Sequence, residues 1–281
     1  MLESSSQISS NSSVSNATEE FLGTHPSGFP YVRVLGSKVH IVQMADIMNQ
    51  MEGWIAAGPN RCHQVVVTGF HGIWEAYKHP EIKKMLNDAP LWVPDGIAPL
   101  AVARLRGAPK KERTPGRAIM KRFFEIANEK GYRSFFYGDT QGTLDALKAN
   151  VEREYPNHKV VGCISPPFRA LTPEEDEAFI QQINEARPDV VWVGLGLPRQ
   201  ERWIYERLSR LKVPVALGVG AAFRFMAGTV DSCPDLIGNL GMEWAYRLVK
   251  EPSKCWQRSL VEGPKFLAHV GMELTGIRKY D

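Results

Sequence analysis

Short apolar, β-branched runs alternate with helix-length segments along most of this chain, and that alternation restricts its fold more than any other feature. The runs cover 65–68, 91–93, 134–137, 159–164, 190–193 and 213–219. They lack the strict polar alternation of a half-exposed strand, so each reads as a strand buried on both faces. Apolar residues at helical spacing predict helices over 44–57, 74–86, 115–130, 143–155 and 200–211, with Gly131 placed to stop the third. A further helix starts at Thr172, with Pro173 in its first position and Glu175 three residues after the cap, and ends before Pro188. The stretch YVRVLGSKVHIV, from Tyr31, adds one or two short strands. Strands spaced by helices build βαβ units, so the expected fold is α/β: a Rossmann-like, largely parallel sheet with helices on both faces.

At 281 residues the chain suits one large domain with a small appendage better than two equal domains. Residues 1–27 are rich in Ser and Asn, have no basic start and no apolar core of a signal peptide, and read as a disordered tail. Residues 28–228 form the α/β core. Residues 229–281 read as a helical, aromatic and basic appendage carrying Arg247, Lys250, Lys254, Arg258, Lys265, Arg278 and Lys279. Such a segment suits an anionic lipid surface, a pyrophosphate, or plain solvation of a packed helix. Its apolar parts are also compatible with association of copies into a homo-oligomer. No apolar run is long enough to span a bilayer. A formal charge of +3 is too small to argue for nucleic acid. The four cysteines form no CxxC pair, which suggests reduced thiols in a cytoplasmic protein rather than a zinc site or a disulfide framework. No carboxylate pair or histidine cluster suggests a metal.

Parallel sheets bind ligands beyond the carboxyl ends of their strands, and several polar or glycine residues fall there. Asp95, in Val-Pro-Asp-Gly, is placed to act as a general base on a hydroxyl, although Asp-Gly is also a common turn. Thr68 ends another strand, where it could hold a substrate hydroxyl or cap the next helix. His71 follows closely; a lone histidine is more often structural than catalytic. Gly194-Leu195-Gly196 leads into Arg199, Gln200 and Glu201 at a helix start, where backbone N–H groups and the helix dipole favour a phosphate. Gly138 and Gly220 offer the same feature, and each is equally readable as an ordinary αβ turn.

Taken together, these stretches resemble the WecG/TagA/CpsF family, glycosyltransferase family twenty-six, over roughly residues 32–260. The pieces are Val65-Val66-Val67-Thr68, Val93-Pro94-Asp95-Gly96, Phe136-Tyr137-Gly138, the run from Val193 to Ile204, Leu217-Gly218-Val219-Gly220-Ala221-Ala222-Phe223, and Gly241-Met242-Glu243-Trp244-Ala245-Tyr246-Arg247-Leu248 with Glu251-Pro252. The resemblance implies transfer of an N-acetylmannosamine-type or related sugar from a UDP-sugar to a polyprenyl-diphosphate-linked sugar, inverting, with no metal and no cofactor. The products would be teichoic acid linkage units, enterobacterial common antigen or exopolysaccharide. Asp95 matches the family's proposed base and Thr68 a threonine of the same pocket. His71, Gly138, Gly196, Arg199, Gln200, Glu201 and Gly220 join the expected substrate-binding set. Arg247 and Arg258 take, by position, the role of arginines that close over the diphosphate and bring the enzyme to the inner face of the membrane.

The chain also departs from the family pattern. Thr68 is followed by Gly69-Phe70-His71 rather than an early Asn, Phe223 by Arg224 rather than Asp, the Arg-Ala-Pro motif is Ser232-Cys233-Pro234, and the arginine after Glu251-Pro252 is Lys254. Lysine cannot reproduce a bidentate fork on a phosphate. The changes at Arg224, Cys233 and Lys254 motivate an alternative, a catalytically impaired UDP-sugar-binding protein. A nicotinamide-dependent oxidoreductase is disfavoured because no strand leads into GxGxxG with an acidic residue at the right distance.

Overall fold

The computed structural model describes residues 22–109, 112–231, 233, 243–250 and 252–280. Two sheets are present among them. A small antiparallel sheet joins β1 (Leu22–Thr24), β2 (Pro30–Val34) and β3 (Ser37–His40). The main sheet holds β4 (His63–Thr68), β5 (Leu91–Pro94), β6 (Arg133–Gly138), β7 (Lys159–Ile164), β8 (Val190–Gly194) and β9 (Val215–Gly218), in the order β5-β4-β9-β8-β6-β7, with every pairing parallel.

Alternate side chains of these strands enter opposite cores. Val65, Val67, Leu91, Val93, Phe136, Val190, Trp192, Val215 and Leu217 face a layer formed by α1 (Met44–Ala57), α5 (Gly116–Lys130), α6 (Gln141–Glu154) and the short α9 (Ala222–Met226). On the other face, Val66 and Trp92 pack under α2 (Phe70–Lys78), α3 (Pro80–Asn87), α4 (Ile97–Leu105) and the small sheet. Phe135, Tyr137, Val191, Val193 and Ala216 pack under α7 (Pro173–Ala186) and α8 (Arg199–Arg207). Residues such as Val66, Trp92, Phe135 and Trp192 are wholly buried, and each such side chain stabilises the fold by roughly 1.5–3 kcal/mol.

Most expected elements are present. Thr172 closes a capping box with Glu175, and Gly131 ends α5 in the left-handed conformation. The structure differs from expectation in five places. The helix over 74–86 is two helices, because Pro80 starts α3 at its first position and holds His79 in an extended conformation that ends α2. Helix α4 was not foreseen; its Pro99 lies in the first turn, where no intrahelical donor is lost. The strand over 213–219 narrows to β9, and the helix over 200–211 to α8. Lastly, β1 lies inside the segment expected to be a tail; residues 1–21 of that segment are outside the described residues.

The C-terminal segment is helical as expected: α10 (Glu243–Lys250), α11 (Pro252–Trp256), a π-helical stretch (Gln257–Glu262) and α12 (Gly263–Leu274). It is more than an outer appendage, because Phe266 and Val270 are buried in the core beneath α2. The carboxylate of Glu273 accepts the Leu35 N–H at 3.0 Å through Oε1, and Oε2 lies 2.9 Å from Arg106 Nη2. Leu35 sits in the tight turn between β2 and β3 with φ 49°, a strained conformation for a branched side chain. One buried carboxylate therefore ties the end of α12 to that turn and to the end of α4.

Removing one partner of a buried ion pair leaves an uncompensated charge. Glu273→Ala is expected to lower unfolding free energy by about 3–5 kcal/mol, read from denaturant midpoints. Glu273→Gln, which still accepts from Leu35, should lose less. A change below about 1 kcal/mol in Glu273→Ala would refute the clamp.

Candidate active site

The carboxyl ends of β5, β4, β9, β8 and β6 form one edge of the main sheet, and the expected residues lie along it in two groups. The first joins β4 to β5. The Asp95 N–H donates to the Thr68 carbonyl at 3.2 Å, so the two strand ends meet. Thr68 is buried and Asp95 half-buried. The closeness depends on two glycines: a Cβ on Gly69 would lie 1.9 Å from the Asp95 carbonyl oxygen, and one on Gly72 would lie 2.3 Å from the Thr68 side chain. The structure thus brings Thr68 and Asp95 together. The signal for it, Thr-Gly-x-x-Gly, was present in the sequence but not used.

His71 and Arg258 border this group. His71 is in the first turn of α2, and its Nδ1 is 3.5 Å from Glu262 Oε2 in the π-helical stretch. Burial, then the positive charge of Arg258, pushes the His71 pKa down to about 4, so the ring is neutral near pH 7 and offers a phosphate no charge. The Arg258 guanidinium lies 5.3 Å from the centre of the Phe70 ring, one residue before His71. Among the described residues, His71, Glu75 and Glu262 are the trio whose ligand atoms approach within 4.8 Å of one another. Lys78 donates to Glu75 at 2.6 Å and to Glu262 at 3.0 Å, placing an ammonium where a metal ion would compete. Glu262, which the sequence reading missed, thereby holds the C-terminal segment against the helix that follows Thr68.

The second group lies between β6 and β8. After β6 the chain turns outward to β7, and after β8 it turns the opposite way to β9, which makes this the topological switch point of the sheet. Gly138 and Gly194 are partners in register there, and a Cβ on Gly138 would lie 2.8 Å from the Gly194 carbonyl carbon. Asp139 follows with φ 57°; its Oδ1 accepts the Thr140 N–H at 2.8 Å and its Oδ2 accepts from Arg224 Nε at 2.8 Å. Neither Asp139 nor this contact was anticipated.

Gln200 and Glu201 are placed differently from expectation. Both are buried, and Glu201 is fully enclosed, so a direct contact of its carboxyl with substrate is corrected to a supporting role. Gln200 Oε1 accepts the Gly196 N–H at 3.0 Å, and its Nε2 donates to Glu201 Oε1 at 2.7 Å. Its carboxamide also fills the space beside Gly218 and Gly220, where a Cβ would lie 2.7 Å and 3.4 Å from it. One side chain therefore shapes the turns after β8 and β9 from behind. Burial pushes the Glu201 carboxyl up to about 7, against a smaller downward pull from the Gln200 hydrogen bond. Its Oε2 has no hydrogen-bond partner, which a neutral carboxyl tolerates better than a carboxylate. Arg199 is exposed at the start of α8, while Gly196 and Gly220 are half-buried on the edge itself.

Arg247 lies on α10 and Lys254 on α11, but their side chains are outside the described residues; Cys233 is buried. A groove of about 470 Å³ between α1 and α5, lined by Met44, Met48, Glu52 and Arg122 among others, lies away from these strand ends.

A profile described as the glycosyl transferase WecG/TagA/CpsF family matches residues 32–279, and the chain belongs to this family. Among curated relatives, it is similar to the N-acetylglucosaminyldiphosphoundecaprenol N-acetyl-beta-D-mannosaminyltransferase of Bacillus spizizenii, 29% identical over 70% of this chain and 74% of that protein. The protein of that name from Bacillus subtilis is 30% identical over 66% and 70%. That from Staphylococcus aureus is 27% identical over 73% and 78%.

Because the folded pKa of Glu201 is raised, the folded protein keeps a proton that the unfolded chain releases between pH 4.5 and about 7. This group's contribution to stability therefore falls as pH rises through that window. Glu201→Gln keeps an oxygen for Gln200 and has no proton to lose. Wild-type minus variant unfolding free energy should fall steadily across the window in denaturant titrations; a flat difference would contradict a raised Glu201 pKa.

Proposed function

We propose that this member of the WecG/TagA/CpsF family transfers an N-acetylmannosamine-like hexose from a UDP-sugar to a polyprenyl-diphosphate-linked sugar, with inversion and without a metal ion, in synthesis of a cell-wall or other surface polymer. The observation that carries this reading is the Thr68–Asp95 junction, where a backbone hydrogen bond brings a half-buried aspartate and a buried threonine together at adjacent strand ends. The activity named for the relatives supplies the class of acceptor and of sugar.

In this mechanism Asp95 accepts the proton of the acceptor hydroxyl as its oxygen attacks the anomeric carbon. The bond from that carbon to the UDP oxygen breaks on the opposite face, and UDP leaves with the electron pair. One displacement inverts the anomeric centre. Thr68 positions the acceptor. Backbone N–H groups of the turns at Gly138, Gly196 and Gly220, other than the Gly196 and Gly220 N–H groups already given to Gln200 and Val193, hold the diphosphate, with Arg199 at the helix start. Arg258, and Arg247 by its place on α10, add positive charge for the leaving group.

Contact with the cytoplasmic face of the membrane fits the C-terminal segment, where exposed Trp256, Leu260, Leu267 and Ile277 accompany Lys265, Arg278 and Lys279. No helix among the described residues is long and apolar enough to cross a membrane. The alternative, a protein that binds the donor without transfer, draws on Arg224 standing where the family pattern has Asp; it predicts UDP binding with no UDP release from any UDP-sugar.

Asp95→Asn should lower the rate of UDP release, measured with UDP-sugar and a short-chain polyprenyl-diphosphate-GlcNAc acceptor, by about 10³-fold while UDP affinity stays within about twofold. A variant retaining a tenth or more of the wild-type rate, on the order set by general-base catalysis, would remove Asp95 from the mechanism.

A further inference from the structure

We propose that Arg224, oriented by Asp139, is a phosphate-binding residue of the donor half, taking an anionic oxygen of the nucleotide diphosphate at the switch point between β6 and β8. The inference rests on the donor reading above and adds a residue that stands where the family pattern has an aspartate.

Two independent anchors fix Arg224. Through the backbone, it follows Phe223, whose fully buried ring fills the space beside Gly194; a Cβ on that glycine would lie 2.5 Å from the ring. Its carbonyl accepts both the N–H and the hydroxyl of Thr229, at 3.0 Å and 3.2 Å. Through the side chain, Nε donates to Asp139 Oδ2 at 2.8 Å across 85 residues of sequence.

Asp139 is itself immobilised. Its other oxygen accepts the Thr140 N–H, its carbonyl accepts the Ser165 hydroxyl at 2.7 Å, and its backbone sits in the left-handed region that aspartate tolerates better than most residues. The exposures of the two side chains differ sharply: 4% for Asp139 and 40% for Arg224. The carboxylate is thus occupied inward, while a contact through Nε leaves the terminal amino groups of the guanidinium outside it. A planar fork with one edge held is preorganised for a phosphate, which a flexible cation is not. On the same edge the missing side chains of Gly138 and Gly194 let β6, β8 and Phe223 pack closely, and a side chain at Gly196 would point into open space, so its absence keeps the backbone accessible. Direct phosphate binding elsewhere on this edge is left to N–H groups and to Arg199, since Gln200 and Glu201 are turned inward.

Full-length wild type, R224A, R224K and D139N would be titrated calorimetrically with UDP, with uridine measured by competition. R224A is expected to weaken UDP by about tenfold or more, the scale of a charge-assisted hydrogen bond, and to leave uridine within about twofold. R224K should recover only part of the loss, and D139N, which keeps an acceptor for Nε, should lose less than R224A. If R224A fails to fold, R224Q, which retains the stem, reads the same difference between ligands. Equal UDP affinity in wild type and R224A, or a parallel loss for uridine and UDP as a purely structural role would give, overturns the assignment. A wild-type protein that does not bind UDP overturns the donor reading and this inference with it, a result distinguishable because it appears before any substitution is made.

Discussion

A parallel sheet buried on both faces leaves its chemistry few places to go. In β5, β8, β9 and the Val65–Val67 centre of β4 the side chains are apolar and enclosed, alternately by one helical layer and the other. Polar groups within such strands would need buried partners, so functional ones gather where the strands end and their backbone N–H and C=O groups leave the ladder. Thr68, Asp95, Gly138, Gly194 and Gly218 are the last residues of strands or the first beyond them. Position on that edge, more than the identity of any one residue, makes them candidates for chemistry.

Several of the buried polar groups brace turns. Glu273 braces the turn at Leu35, Gln200 with Glu201 braces the turns after β8 and β9, and Asp139 braces the start of α6 together with Arg224. In each case a side chain supplies an acceptor to a backbone N–H that no helix or strand satisfies. A buried group that completes such a pairing stabilises; the same group without its partner destabilises by about 1–3 kcal/mol or more. Shape at the strand edge is therefore maintained from behind, by residues that no ligand needs to touch.

This explains which features were legible in the sequence. The sheet and its helices follow from local pattern: β-branched runs, helical periodicity, and the Thr172–Glu175 capping box read directly from residue type and spacing. Asp95 and Thr68 were legible because each ends a recognisable strand. What escaped was long-range. Nothing near Glu201 in sequence announces its enclosure by α8, β4 and β9; a glutamate at a helix start ordinarily faces solvent. The Arg224–Asp139 and Glu273–Arg106 pairs join residues 85 and 167 positions apart, and no local rule selects those partners from the other acidic and basic residues. The split at Pro80, by contrast, was available locally, since proline restricts the residue before it.

The sheet order also constrains how the two halves of the edge can cooperate. Asp95 follows β5 and Gly138 ends β6, with β4, β9 and β8 between them, four strand spacings or roughly 19 Å. No single small group reaches both. Only an elongated ligand reaches both. The C-terminal segment lies at one of them. Arg258 and Glu262 sit against Phe70, His71 and Lys78, beside the Thr68–Asp95 junction rather than beside Gly138. A neutral His71 adds no charge there, so the positive charges bordering this junction are those of Lys78, which is paired with Glu75 and Glu262, and of Arg258, carried by the C-terminal segment that α12 clamps to the core. Charge beside the Thr68–Asp95 junction thus depends on a segment distant in sequence, while the shape of the β6–β8 end depends on turns held within the sheet. Changes in the C-terminal segment can accordingly alter the first without disturbing the strand ends that frame the second.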